Sequence, residues 1–544
     1  MSTDLSFDLL DEPWILALGL DGRQHELSLV EMLERAPGLG MISGEVPTQA
    51  FAITRLLLAF LHRALDGPED QDDWAQLWSE TELPMDRVRA YGDRVRSRFD
   101  LFDPDTPFFQ VAGLHTAKNE VAGLEKLIAD VPNGEPFFTT RSAASFRSIP
   151  AGEAARWLVH AHAFDTSGIK SGAVGDPKVK DGKGYGSRPG WSGQIGGVLP
   201  QGANLRETLV LNLISRDASF VRLGGSKDLP PWEREADGPG WAEERPPAGA
   251  IELYTWQTRR VRLAGDRSGV SGVVLANGDK IVPQNRHGLE PHTAWRYSEP
   301  QSKKLKTTTY MPNEHRPERS VWRGLEAMLP SVSPRRGPAG DAQKFLAPGV
   351  LQWLGDLAHE GHLPSTYAPA LRVLGVEYRA KETTFAEIVD DVLPVSVALL
   401  SQDHPALGRL ARDAVDDARG VARAVWRLAE NVAQASGAEP KSGAGDRAEE
   451  ALFSLLETPY REWVVALGPD TDRTEARRAW QRTVRDAAFP VVDELVEAAP
   501  PVAWTGRMIQ KRLVNVAISE AWYRAAVRKA LPLAYSDRQV EEAG

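Results

Sequence analysis

Apolar side chains recur every three to four positions through the last third of the chain, and that spacing predicts helices. Leu407, Leu410, Ala411, Ala414, Ala418, Val421, Val425 and Leu428 fall on one helical face. A linker, Ser436–Gly445 (SGAEPKSGAG), separates them from a second helix over Arg447–Leu467. Thr474–Ala499 follows, with Trp480 and Val484 at i, i+4, and then Arg507–Leu531, which aligns Ile509, Leu513, Val516, Val527 and Leu531. Four consecutive amphipathic helices with modest connections predict an antiparallel four-helix bundle.

Before about Pro394 the pattern is mixed. Phe7–Leu20 reads as a short strand or hairpin arm that buries Trp14 and Ile15. Ser28–Arg35 and Thr48–Ala64 read as helices. In the second, Phe51, Arg55, Leu58, Ala59 and His62 share a face flanked by further apolar residues, the mark of a core helix. Trp74–Glu80 and Met85–Phe99 continue the helical period, with Arg87, Arg89, Arg94, Arg96 and Arg98 as a solvated face. Leu205–Ile214 fits a strand or a short buried helix, and Pro230–Gly249 a surface loop. Tyr254–Val261 and Gly272–Leu275 read as strands, with Asn277-Gly278 as a hairpin signal. The fold class is α+β: a large mixed N-terminal domain (1–394) followed by a C-terminal antiparallel four-helix bundle (395–544).

Composition narrows the chemistry. The 544 residues are 42% hydrophobic and 26% charged, the balance of a globular protein with a substantial core. There is no cysteine, so disulfides, thiolate metal sites and cysteine nucleophiles are excluded. The N-terminus carries Asp4 and no signal-peptide pattern, and the longest apolar run, Leu56–Leu61, is too short to span a bilayer. A cytoplasmic protein without membrane association is expected. The net charge of −11 is unevenly spread: residues 251–336 hold 15 Lys/Arg against 8 Asp/Glu, or +7, leaving −18 elsewhere. Local excesses of this kind build phosphate-binding surfaces.

The stretch Asp165–Gly197 has ten glycines and five basic residues. Glycine admits unusual backbone conformations and close approach to a ligand, so this reads as a loop ordered by a nucleic acid or a nucleotide. Gly182-Lys183 is followed by glycine rather than a hydroxyl residue and lacks the upstream glycine of a phosphate-binding loop. The nucleotide reading falls away. No nucleophile elbow, H-E-x-x-H or carboxylate pair is present. His160-x-His162 would place two imidazoles on one face of a strand, but no carboxylate motif completes a metal site. A non-enzymatic protein without cofactor or metal is expected. The alternatives are a metal-dependent nucleic-acid hydrolase using that pair and a purely structural scaffold.

FDLLDEPWI at the start, EKLIADVP at Glu125–Pro132, the glycine-rich stretch and ANLRETLVLNLI at Ala203–Ile214 together resemble the CasA family, the large subunit of the type I-E CRISPR complex Cascade. The order of elements extends the resemblance over nearly the whole chain. It implies a non-catalytic subunit that recognises the protospacer-adjacent motif in double-stranded DNA through the minor groove and helps open the duplex. The implied partners are CRISPR RNA, the backbone and small subunits, and a helicase–nuclease that docks on it.

The resemblance also assigns residues. The minor-groove loop corresponds to part of Gly168–Gly197 beginning near Ser167–Gly175, which makes Gly168, Lys170, Ser171, Gly172 and Gly175 candidate DNA contacts. The family's minor-groove lysine matches Lys280 in ANGDKIVP, expected in a hairpin before a proline/histidine loop. The duplex-splitting wedge matches the hairpin tip Val376–Thr384, with Glu382 where family members can present glutamine and Lys381 beside it. Pro132–Thr140, with Asn133, Phe137 and Phe138, resembles the loop inserted toward the RNA handle and neighbouring subunits. Lys303 and Lys304, with Lys306, form a basic cluster suited to the displaced strand. Arg507/Lys511 and Arg524/Arg528 are exposed basic pairs at i, i+4. Some family members carry a cysteine-rich metal loop, which this chain lacks.

Overall fold

The computed structural model describes residues 6–131, 147–330 and 342–536. The chain divides into two units. One comprises Met1–Val321, Pro330–His362 and Pro369–Val392, and the other Trp322–Leu329, Leu363–Ala368 and Leu393–Gly544.

In the first unit, β1 (Ile15–Gly19) pairs antiparallel with β2 (Gln24–Leu27) and β3 (Leu39–Ile42). Helix α1 (Leu29–Glu34) starts at a capping box: Ser28 Oγ accepts from the Glu31 amide at 3.2 Å and the Glu31 carboxylate from the Ser28 amide at 3.0 Å. Helix α2 (Pro47–Leu65) opens on proline, and all its residues but Pro47 and Arg63 are buried, as a core helix requires. Its Arg55 is balanced by Glu290, with Nη2 to Oε2 at 2.7 Å and both side chains fully buried. Helices α3 (Gln71–Ser79) and α4 (Met85–Val95) follow. The arginines in and after α4 are more than a solvated face. Arg87 donates to the Leu65 carbonyl, Arg89 pairs with Glu34, Arg96 reaches Asp8 and Asp11, and Arg98 donates to the carbonyls of Pro231 and Arg234.

Helix α5 (Ala151–Phe164) carries His160 and His162, which therefore do not lie on a strand. Two residues along a helix is about 200° of rotation, so the imidazoles diverge. His160 Nε2 meets Thr48 Oγ1 at 2.9 Å and His162 Nε2 the Phe109 carbonyl at 2.8 Å. The two rings therefore do not share a site, and among the described residues no group of three or more His, Asp and Glu stands ready to hold a metal ion. After α5 come β4 (Gly168–Ser171), β5 (Lys183–Ser187) and β6 (Gly197–Gln201). Helix α6 (Leu205–Leu211) settles the strand-or-helix question, because the Asn204 side chain caps it by accepting from the Glu207 amide at 2.9 Å.

The Pro230–Gly249 stretch is anchored rather than loose: Trp232 is buried, and its indole donates to Tyr91 at 2.6 Å. Helix α7 (Ala250–Tyr254) then occupies the start of the expected first strand, and β7 (Arg259–Asp266) pairs with β8 (Gly269–Asn277). The hairpin turn lies between Asp266 and Gly269, where the Asp266 side chain accepts from the Ser268 amide at 2.8 Å. Asn277-Gly278 closes β8 instead of turning it. Next come β9 (Trp295–Tyr297), α8 (Glu299–Leu305), β10 (Tyr310–Pro312), β11 (Phe345–Leu346) and α9 (Gly349–His359). Finally β12 (Ala370–Tyr378) lies between β6 and β13 (Phe385–Pro394) in one sheet.

In the second unit α10 (Pro405–Ala435) packs against α11 (Ala444–Val465), α12 (Arg473–Glu497) and α14 (Val516–Ala530). Trp322, Tyr460 and Trp480 fill its core, with Tyr460 4.5 Å from Trp322 and 5.2 Å from Trp480 between ring centroids. The expected last helix is broken. Short α13 (Pro501–Thr505) and the hairpin β14 (Arg507–Ile509) and β15 (Arg512–Val514) precede α14. Gln510 and Lys511, at φ of +47° and +67°, make its turn, so Arg507 and Lys511 do not share a helix face. Arg524 and Arg528 do lie on α14, and Arg524 pairs with Glu520. The fold is α+β, a mixed unit followed by a helical bundle.

Candidate nucleic-acid interface

The glycine-rich stretch is an ordered hairpin. Lys170 pairs with Gly184 and Ser171 with Lys183 across β4 and β5, and the Gly172 amide donates to the Gly182 carbonyl at 3.1 Å. Its glycines serve close packing as much as turning. A Cβ on Gly172 would stand 2.5 Å from the carbonyl of Gly182, and one on Gly184 would stand 3.0 Å from Asn277 Nδ2. Gly168, with φ of +116°, is left-handed backbone at the base of the hairpin. Gly175 is exposed at φ of +89° and lies against Pro239.

Lys170 points inward. Its Nζ lies 2.6 Å from Asp165 Oδ2, and its side chain is 9% exposed. Arg259 Nε donates to the same carboxylate. Burial pulls the Lys170 ammonium down to about 8 although Asp165 works in the other direction. Burial pushes the Asp165 carboxyl up, but Lys170 and Arg259 outweigh it and hold the group below the usual carboxylate range. Lys170 thus ties the hairpin to the β7 strand through Asp165, and it lines a cavity of about 700 Å³ together with Ser167, Gly168 and Lys183.

Three elements meet at this hairpin. Asn277, at the end of β8, donates from Nδ2 to the Tyr185 carbonyl at 3.0 Å. Lys280, three residues on and outside the hairpin strand itself, brings its Nζ to within 3.5 Å of where a Cβ on Gly186 would stand. The Val376–Thr384 tip, which runs from the end of β12 to just before β13, docks at the base of the hairpin. The Ser167 amide donates to the Glu382 carbonyl at 2.7 Å, and Ser167 Oγ to the Lys381 carbonyl. Lys381 and Glu382 adopt φ of +64° and +57° and leave their side chains exposed. Below the tip a groove of about 630 Å³ is lined by Gln194, Arg296, Glu314, Arg316, Tyr378 and Glu382.

The remaining candidates from the sequence lie on other elements or outside the described residues. Lys303 and Lys304 are exposed on α8, where Lys303 pairs with Glu299 at 2.7 Å. Asn133, Phe137 and Phe138 lie outside the described residues. The sequence assigned no site role to Tyr185, Gly186 or Trp241, and read Asn277 only as part of a turn. Of these, the flanking of Tyr185 by two glycines was the one readable signal.

A family model described as CRISPR-associated protein Cse1 matches residues 8–491. A CasA/Cse1 protein of Thermus thermophilus is 31% identical over 450 residues, 81% of this chain and 80% of its own length. Among solved structures, Cse1 of Thermobifida fusca is 44% identical with a TM-score of 0.91, covering 98% of this chain and 100% of that one. Cse1 of Acidimicrobium ferrooxidans is 30% identical with a TM-score of 0.83, covering 98% and 99%. A chain from a CRISPR RNA-guided surveillance complex shares the fold at 19% identity and a TM-score of 0.73, covering 96% and 99%. The chain belongs to the CRISPR-associated Cse1 family.

Proposed function

We propose that this chain is the non-catalytic large subunit of a cytoplasmic type I-E CRISPR RNA-guided complex, in which it recognises the protospacer-adjacent motif in double-stranded DNA. The carrying observation is that both Lys280, beside Gly186, and the Val376–Thr384 tip, at Ser167, contact the β4–β5 hairpin. A narrow hairpin with exposed Gly186 and Tyr185 suits a minor groove, where base-edge acceptors meet backbone and lysine donors. In this reading the tip parts the strands next to the motif, with Lys381 serving a phosphate; its exposed backbone turn supports that role. Guide RNA then reads the remaining sequence by base pairing, while the protein reads only the short motif. Backbone and small subunits hold the chain in the complex, and a helicase–nuclease docks on it once the duplex is open.

The test compares assembled complexes, with and without this chain, on duplexes that carry or lack the motif, by electrophoretic shift. Lys280→Ala and glycine-hairpin substitutions weaken binding to motif-bearing duplex and leave assembly intact. Equal loss on both duplexes overturns motif reading. Purified chain has no nuclease turnover with or without added divalent metal.

A further inference from the structure

Trp241 and Glu243, in a stretch with no evident link to nucleic acid, lie on Lys280. The Lys280 Nζ is 4.3 Å from the centroid of the Trp241 ring and 2.8 Å from Glu243 Oε2. Lys178 shares the ring at 3.6 Å, donates to the Trp241 carbonyl at 2.8 Å and reaches Glu243 Oε1 at 4.0 Å. The backbone beneath is fixed: the Lys280 amide donates to the Ala242 carbonyl at 3.1 Å and the Arg245 amide to the Lys280 carbonyl at 3.2 Å. The Trp241 indole donates to Asp176 Oδ2 at 3.0 Å, and the Ala242 amide to Asp279 Oδ1 at 2.8 Å. On this rigid base the exposures are unequal. The Glu243 side chain is 61% exposed, whereas that of Lys280 is 11% exposed.

We propose that Trp241 positions Lys280 and that Glu243 sets its selectivity, with the aromatic ring holding the ammonium beside Gly186 and the carboxylate competing with incoming anions. This rests on reading Lys280 as a DNA contact. The ring attracts the cation without satisfying its donors, so it fixes the position and leaves the hydrogen bonds available. Glu243 takes up one of those donors in the free chain. A duplex must displace the carboxylate to reach Lys280, and the displaced negative charge then stands beside DNA phosphates. A motif that offers well-placed base-edge acceptors overcomes this, while an arbitrary phosphate does not. Selectivity by an opposing charge is the result. Lys178 has its own carbonyl partner and keeps its place when Glu243 is neutralised.

The experiment uses the full chain in the assembled complex and a pool of duplexes randomised at the motif position. Retention is measured separately for favoured and disfavoured sequences. Glu243→Gln keeps size and hydrogen bonding but removes the charge. It is expected to raise retention of disfavoured duplexes by about two- to fivefold, the scale of a part-exposed ion pair, with a smaller gain on favoured ones. The gain disappears when Lys280→Ala is added and persists when Lys178→Ala is added instead. Trp241→Leu mimics Lys280→Ala, whereas Trp241→Phe, which keeps an aromatic face, restores most of the selectivity. Hydrogen exchange at residues 241–245 verifies that each variant is folded there. An unchanged preference in Glu243→Gln, or a gain that survives Lys280→Ala, overturns the inference while leaving the motif-reading role intact. A Lys280→Ala variant with full motif preference overturns both.

Discussion

Gly172→Ala separates two reasons for glycine in the β4–β5 hairpin: contact with a ligand and contact between its own strands. The added Cβ would stand 2.5 Å from both the carbonyl carbon and oxygen of Gly182 and 2.8 Å from the Lys183 nitrogen. All three are backbone atoms, so no side chain can swing away. Reaching ordinary van der Waals contact requires the strands to part by about 1 Å, which costs on the order of 1–3 kcal/mol as overpacking. The bond from the Gly172 amide to the Gly182 carbonyl, 3.1 Å long, is lost as well, at about 1 kcal/mol. Gly182→Ala is the control. That residue has φ of +71° but open space around its Cβ, so the substitution costs about 1–2 kcal/mol of backbone strain without separating the strands. Hydrogen exchange followed by mass spectrometry reads the difference. In Gly172→Ala the segments 168–172 and 183–187 exchange about tenfold faster or more, as expected for a local opening made easier by some 1.4 kcal/mol. Gly182→Ala changes them less. Motif-bearing duplex binding falls in the same order. Unaltered exchange in Gly172→Ala, or equal opening in the two variants, refutes the packing account.

Asp165→Asn should destabilise the first unit by roughly 3–5 kcal/mol, because the buried Lys170 and Arg259 lose their shared counter-ion. Lys170→Met costs less, since Arg259 keeps Asp165, and urea unfolding that ranks the two in the opposite order counts against the assignment. Glu290→Gln leaves Arg55 charged and fully buried, with a similar penalty of about 3–5 kcal/mol and a lowered thermal midpoint. Acid should also destabilise this unit. Burial pulls His160, His162 and His292 down to about 3 and His62 to about 4. Between those values and 6.5 the unfolded chain binds more protons than the folded one, so the stability contributed is full above about pH 6.5 and declines as pH falls. At about pH 5 each histidine costs up to about 2 kcal/mol, and a urea midpoint unchanged between about pH 7 and pH 5 contradicts their burial as neutral rings.

Long periodic helices were legible because their burial follows from the pattern alone: α2, α10, α11 and α12 lie where their apolar spacing puts them. Short elements were not, because local signals compete there. H-x-H alternates like a strand, yet Pro150 and the apolar run behind it start a helix. Arg507–Leu531 keeps a helical period while turning at Gln510–Lys511 without a glycine or proline to mark the break. Asn277-Gly278 carries a hairpin signature, yet Asn277 is held by its bond to the Tyr185 carbonyl. The local charge of +7 over residues 251–336 was also misleading as a surface property. Arg259 is answered by Asp165, Arg267 by Glu12 and Lys280 by Glu243, all of them carboxylates outside the stretch. Charge counted along the sequence cannot anticipate partners brought in by the fold.

The same distinction changes what the glycines are for. A flexible glycine loop would have to be ordered by DNA, at a conformational cost of about 1–2 kcal/mol per residue fixed, and that cost would be subtracted from affinity. Here the hairpin is ordered beforehand by its pairing, by Asn277 on the Tyr185 carbonyl and by Ser167 against the Val376–Thr384 tip. Glycine makes this possible because Gly172 and Gly184 let backbone and neighbouring side chains approach where a Cβ would intrude. On the proposed reading, DNA binding then requires only local adjustment, chiefly displacement of Glu243 from Lys280. A chain with a net charge of −11 has little general attraction for DNA to offset ordering costs, so for the proposed function a preformed hairpin matters more to it than to a basic protein.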